Sequence, residues 1–417
     1  MPINSPGGGR RGSIIVLVMV TLLFTAAALV AFLDKAGTDL MVDARAAQAA
    51  RLRPDAYSAL ETTLAVLQDF RQADGNQLRA PTEGWADPLG WAGWTPGDPN
   101  HTVDVTFQDE SGKIPLIHAD QTTLLALFES PAYGSMAAGD AQRLIDGLLG
   151  WMHADYSPVS AMQPDYPQSA LPYAVPGRAI RSMSELAAID AVRDVFFDAN
   201  GRPNALWWQF NADFSIFNYT SPNINGANAD ILSAVGQFDD QQVQAVGSYL
   251  AGTSQYSTLG RKWFTSTADL QVVTGQQGQL RAFAFTIRAL RILITVHEGK
   301  TVYTLSAVVA PTSGGARTVQ TNATDVKNAA DRAANGPSGE TASNPNLNAG
   351  SQLNTSPSTA QASAMAKANL QLPFTVLEIR ENDEILTPPP PPPAPTDDPS
   401  SVLTAAPSAP PPSSPHP

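Results

Sequence analysis

SIIVLVMVTLLFTAAALVAFL, residues 13–33, contains no charged side chain in 21 positions. Coiled as an α-helix it is about 30 Å long, the thickness of bilayer hydrocarbon. It therefore reads as a membrane-crossing helix, with the rest of the chain tethered by its N-terminus on one side. Residues 36–50 are rich in alanine and favour continuing the helix. Pro54 is expected to kink it. Beyond it Leu60, Leu64, Leu67 and Phe70 recur at helical spacing, a stripe for packing against a core. One long helix results, apolar all round at first and amphipathic later.

Gly9-Arg10-Arg11-Gly12 precedes the run and leaves three readings open. A secretory signal would need a shorter apolar core and a small-x-small cut site, and none follows Leu33 cleanly. A plain anchor fits the length. A prepilin-type leader would be cut between Gly12 and Ser13, before the helix, where only glycine fits a cut site pressed against the membrane face. Lys35, Arg45, Arg51 and Arg53 alternate with Asp34, Asp39 and Asp43, so the positive-inside count alone does not orient the helix. The short basic tail favours a cytoplasmic leader and an outward-facing body.

The formal charge of −13 opposes a nucleic-acid binder, because phosphate contacts need a basic face. The absence of cysteine removes disulfides, thiol nucleophiles and thiolate metal sites.

After a stretch rich in Gly, Pro and Trp (71–100), residues 102–107 alternate as a strand. An internal repeat follows. Leu116, Ala119, Leu124 and Leu127 share their spacing with Ile224, Ala227, Leu232 and Val235. Each set precedes a second apolar stripe, opened by Asp140 in the first copy and Asp239 in the second, residues suited to cap a helix. Residues 112–155 and 221–252 thus read as two helix–turn–helix units. Between them lie Trp151, Asp155, Asp165, Tyr166, Pro172 and Tyr173, then a helix start at Ser184-Glu185-Leu186. Residues 282–309 read as two β runs joined at Glu298-Gly299-Lys300, a hairpin signal. Residues 373–380 are a further strand, and six prolines from Pro388 open a polyproline-like tail.

The succession of features resembles the K-type minor pseudopilins of type II secretion, the GspK family. Arg10-Arg11-Gly12 before the apolar run looks like their cleavage site, and residues 223–232, NINGANADIL, look like their N-x-N-T-A motif. Gly112-Lys113-Ile114, Leu116 and Ala119 match a first copy, with Pro115 and Ile117 where the family has asparagine. Trp151, Asp155, Tyr166, Pro172-Tyr173 and Glu185-Leu186 follow the order of the family's inserted domain, with Gly150 and His153 where it tends to have Asp. The likeness spans about residues 10–310.

The resemblance implies an α+β, pilin-like fold: a long N-terminal helix, an antiparallel sheet and a large inserted, mainly helical domain with two helix–turn–helix units. The expected divisions are a leader (1–12), the helix and first part of the sheet (13–110), the inserted α-domain (111–255) and a β segment (256–311). A disordered linker (312–369), a last strand (370–387) and a Pro-rich disordered tail (388–417) follow. The resemblance also implies cleavage between Gly12 and Ser13 by prepilin peptidase, methylation of the new N-terminus, and a single-pass inner-membrane protein with its body in the periplasm. The implied partners are I- and J-type minor pseudopilins, the major pseudopilin and the inner-membrane secretion platform. Mature position five is Leu17 instead of the usual pilin glutamate, a departure K-type members share. A subunit without that carboxylate cannot pair with the amine of a subunit above it, and the end of a filament needs no such pair. Some members hold calcium in the inserted domain, which takes six to eight oxygens. Asp155 and Asp165 are the residues the resemblance puts forward.

Rival readings are a membrane-anchored binding module with helix-hairpin-helix-like repeats and a type IV pilus minor pilin. The first lacks the Gly-rich turns and basic residues that hold a nucleic-acid backbone. No enzyme is expected: no His-x-x-x-His pair, nucleophile elbow or Walker loop occurs, and Gly7-x-Gly9-x-x-Gly12 follows no strand. Asp239-Asp240 reads as a helix start. Trp85, Trp91 and Trp94 read as a loop packed on the sheet, or else a sugar or partner surface; Trp207, Trp208 and Phe210 read as core or subunit contacts.

Overall fold

The computed structural model describes residues 11–160, 173–256, 260–275, 279–319 and 373–385. Helix α1 (Arg11–Ala73) runs 63 residues, about 95 Å, and passes through Pro54 without a break. Its second half buries Leu52, Ala56, Ala59, Leu60 and Leu67, which fall on one face of the helix, with Leu64 and Phe70 half-buried beside them. That face lies on a four-stranded sheet of β1 (Thr102–Asp109), β4 (Leu290–Glu298), β5 (Thr301–Pro311) and β6 (Phe374–Glu381). The order is β1-β4-β5-β6, and each neighbouring pair is antiparallel. Alternation sorts the two faces. Leu290, Ile292, Ile294 and Val296, with Tyr303, Leu305, Ala307 and Val309, turn toward α1. The β4–β5 hairpin closes on Gly299-Lys300, and Gly299 takes the φ of +59° that so tight a turn demands.

The expected loop at 71–100 contains a short helix, α2 (Pro88–Ala92), capped by Asp87. Trp85 is fully buried, edge-on to Phe107 at 5.0 Å, and Trp94 donates to Ser58 Oγ at 3.1 Å. These two rings pack on the body as expected; Trp91 is exposed beside Phe70.

Between β1 and β4 the chain makes a second layer with its own core. It comprises β2 (Ile114–Pro115), α3 (Gln121–Phe128), α4 (Ala138–Met152), α5 (Asp190–Phe196), α6 (Ala205–Asp213), β3 (Phe214–Ser215), α7 (Ala229–Gly236), α8 (Asp240–Ala251) and α9 (Thr267–Thr274). The fold is thus a mixed helix-and-sheet architecture with a long apolar N-terminal helix and an inserted helical layer. The repeat is real in space: α3–α4 and α7–α8 are paired short helices, and Leu116, Leu124, Leu127, Ile224 and Leu232 share one core. The cap at Asp239 is present, a full capping box with Gln242. The cap expected at Asp140 is not. Asp140 lies inside the first turn of α4, behind the N-cap residue Ala137, and acts there on the helix dipole. Asp120 caps the first helix of that copy instead.

Two expectations change. The run 282–289 does not extend as a strand, and α9 lies in the segment expected to be β. Phe264, Leu270, Val273, Leu280 and Phe283 are buried in the helical core, so side-chain volume overrides β propensity there. Residues 312–319, expected in the linker, are packed: Ala316 is buried, and Asn218 and Arg317 exchange backbone hydrogen bonds. The remaining linker and the Pro-rich tail lie outside the described residues.

Leu67→Ala removes a fully buried side chain from the α1–sheet core. It should lower unfolding stability by about 2–5 kcal/mol, whereas Leu40→Ala on the exposed arm should leave it within about 0.5 kcal/mol. Chemical denaturation of the full chain in micelles measures both.

Candidate assembly interface

Three parts of the chain stand out: the free arm of α1, the turn where the arm meets the body, and the joint that carries the helical layer.

Ile15–Val42 is long and apolar enough to cross a membrane, and none of it is buried in the fold. Leu22, Leu23, Phe24, Phe32, Leu33, Leu40 and Met41 are all exposed. A contiguous apolar surface of this size calls for lipid or another protein. Its hydroxyls are already satisfied: Thr21 donates to the carbonyl of Val18 at 2.9 Å and Thr25 to that of Leu22 at 2.9 Å. Leu17 is 64 % exposed, an apolar side chain with no contact from the fold. Gly12 and Ser13 lie in the first turn of α1, next to its start at Arg11.

Arm meets body at the turn around Pro54. Arg53 Nη2 lies 2.8 Å from Glu381 Oε1, and the Tyr57 hydroxyl donates to the same oxygen at 2.6 Å. These bonds, Arg53 first, hold the Glu381 carboxyl down at about 2. Asp55 Oδ2 lies 2.6 Å from His101 Nδ1, and Asp55 Oδ1 accepts from the amide of Gly97 at 3.1 Å. His101 Nε2 is 3.9 Å from Glu298 Oε2. The hydrogen bond to Asp55 raises the imidazole's affinity for its proton above the ordinary histidine value.

The helical layer leaves β1 at Asp109 and rejoins the sheet at Leu290, which are paired in register. The Ser111 amide donates to the Ala289 carbonyl at 3.0 Å, and Asn223 bridges to the same loop through its amide and the Ser111 carbonyl at 2.7 Å. Asp109 accepts from the Ser111 amide, the Ser111 hydroxyl and Asn223 Nδ2, yet burial pushes its carboxyl up to about 7. Gly226 must be glycine: a Cβ there would stand 2.5 Å from Asp109, and one on Gly112 would stand 2.4 Å from the Gly226 backbone. Below them Glu110, 2 % exposed, meets Lys113 at 3.1 Å and Arg291 at 3.2 Å. Burial opposes its charge, but the two cations outweigh that and lower the carboxyl. Arg291 continues to Glu378 on β6 at 3.1 Å. The NINGA motif is thus half of a polar clasp between the layers. Sequence reasoning found the motif but missed Asp109, Glu110 and Arg291. The available signal was the cluster Asp109-Glu110-Ser111-Gly112-Lys113 at the end of an alternating strand.

Within the helical layer a cleft of about 500 Å³ lies between α4 and α5, lined in part by Trp151, Tyr156, Asp190 and Asp194. Asp146 at its edge is saturated by protein donors: Gln142 Nε2, Tyr156 hydroxyl and the amides of Val159 and Ser160. Burial works against its charge, but these donors bring the carboxyl down to about 2. Asp155 is exposed, and among the described residues no three His, Asp or Glu side chains are grouped to hold a metal. Asp165 lies outside the described residues. Trp207 and Phe210 are buried core residues, as the sequence suggested.

No family model matches the chain, and no curated protein matches it. Among solved structures it is similar to a chain of the GspK-GspI-GspJ complex of the type 2 secretion system from enterotoxigenic Escherichia coli. The TM-score is 0.43 and the identity 13 %, over 64 % of this chain and 92 % of that one.

Glu381 and Asp146 carry depressed carboxyls, so their stabilisation is complete above the ordinary carboxylate range and is lost as pH falls toward 2. Glu381→Gln should lower Tm at neutral pH and flatten its decline between about pH 5 and 3. Thermal melts across that range measure the difference.

Proposed function

We propose that the chain is a pilin-like assembly subunit, a K-type minor pseudopilin that helps start and cap a type II secretion pseudopilus. The observation that carries the reading is α1. One continuous helix is bare over Ile15–Val42, carries no charge up to Leu33, and is packed on an antiparallel sheet from Leu52 onward. Such a helix can stay in lipid or exchange lipid for helix–helix contacts with neighbouring subunits without any change in its backbone. The polar clasp supports the same reading, because it fixes a bulky helical layer to the sheet that α1 carries. A rigid bulk of that kind obstructs addition of a further subunit, which suits a terminal position. The partners that follow are other minor pseudopilins, of I and J type, the major pseudopilin, the inner-membrane platform and prepilin peptidase. Leu17 fits a subunit with no neighbour above it, since no carboxylate is present to meet another subunit's amine.

Mass analysis of the N-terminus of the protein from its native membrane tests this. The expected mature chain begins at Ser13 with one added methyl. A chain that keeps Met1 or Pro2 contradicts the reading, and a cut after Leu33 would remove the helix on which it rests.

A further inference from the structure

Four observations converge on one turn of α1. Pro54 donates no hydrogen bond to the carbonyl of residue 50, so the helix is one bond weaker there. Among the described side chains Leu52 is the first fully buried one, so full support from the sheet is present at the same level. Arg53 and Tyr57 are tied to Glu381 at the end of β6. Asp55 is tied to His101, which stands just before β1. Residues 53 and 55 are about 200° apart around a helix, so the two ties reach opposite flanks. Their anchors lie at the two edge strands of the sheet, at the end where β4 and β5 turn.

We infer that the turn around Pro54 is a splinted hinge, in which two ionic clamps hold the arm of α1 in line with the body and deprotonation of His101 opens one of them. The groups facing His101 are Asp55 on α1, Asp98 in its own loop and Glu298 at the end of β4. All three are acidic. Protonated, the ring meets Asp55 through Nδ1 and Glu298 through Nε2, joining helix to sheet. Neutral, it keeps at most one hydrogen bond and leaves carboxylates facing each other around an uncharged group. The clamp is complete below the ordinary histidine value of 6.5 and is lost as pH rises through the raised value. The Arg53 clamp does not titrate in that range. The hinge does not depend on which assembly the chain joins, so its test and that of the proposed function fail separately.

The chain has no cysteine, so a labelled pair can be placed without background. Thr38→Cys on the arm and Thr106→Cys on β1, both exposed, would carry nitroxides on the full chain in micelles. Double electron–electron resonance then reads the arm–body distance. The expected distribution is narrow at about pH 5.5 and broader at about pH 9, and His101→Gln makes it broad at both. Equal widths at both pH values in the unsubstituted His101 chain overturn the inference, as does a change from narrow to broad with pH that persists in His101→Gln. Should His101→Gln fail to fold, Glu298→Gln, at a more exposed site, should move the broadening to lower pH. An unmoved transition there would also overturn it.

Discussion

The constraint on which the structure depends is that a single helix must satisfy two solvents. Up to Leu33 the helix presents uncharged, mostly apolar side chains on every side, and up to Val42 it draws nothing from the fold. From Leu52 it presents one face, and that face meets the alternating side chains of β4 and β5. Hydrophobic burial at about 25 cal/mol per Å² holds the second half to the sheet, and the same effect drives the first half into lipid or against other helices. A helix is the only element that can do both, because its backbone groups are satisfied internally wherever it lies.

The helical layer depends on the sheet in turn. It enters at Asp109 and leaves at Leu290, two residues paired across β1 and β4, so its two covalent connections form a narrow polar waist, beside which Val308 and Ala310 of β5 enter the helical core. A flexible waist would let a layer of this size swing. Glycine-on-glycine packing at Gly112 and Gly226, and the ion pairs Glu110–Lys113, Glu110–Arg291 and Arg291–Glu378, leave little slack. Buried ion pairs of this kind contribute little net stability, whereas removing one partner strands a buried charge and costs about 3–5 kcal/mol.

Much of this was readable from the residues because it rests on periodicity. The unbroken apolar run, the Leu60–Leu67 stripe, the 102–107 alternation, the Gly299 turn and the repeated Leu/Ile spacing each announce one element. What escaped is what tertiary contact decides. Asp140 and Asp239 look alike in the string, yet only Asp239 sits one residue before its helix. The run at 282–289 is as apolar and aromatic as a strand, but Leu280 and Phe283 are claimed by the helical core. Arg53 and Glu381 are separated by most of the chain, and no local pattern joins them. Asp155 was put forward as a ligand by resemblance, and the fold places it on the exposed surface.

The central claim is that α1 changes its surroundings, and not its structure, between the arm and the body. Nitroxides placed singly along residues 13–60 of the protein in lipid vesicles test it most directly, by accessibility to oxygen and to a water-soluble nickel complex. The account predicts lipid-like accessibility at every position of 15–33, with no helical period, and a period near 3.6 residues appearing from Leu52. A 3.6-residue period already present across 15–33, or free access of the nickel complex there, would show the first half packed on protein or lying in water and would contradict it.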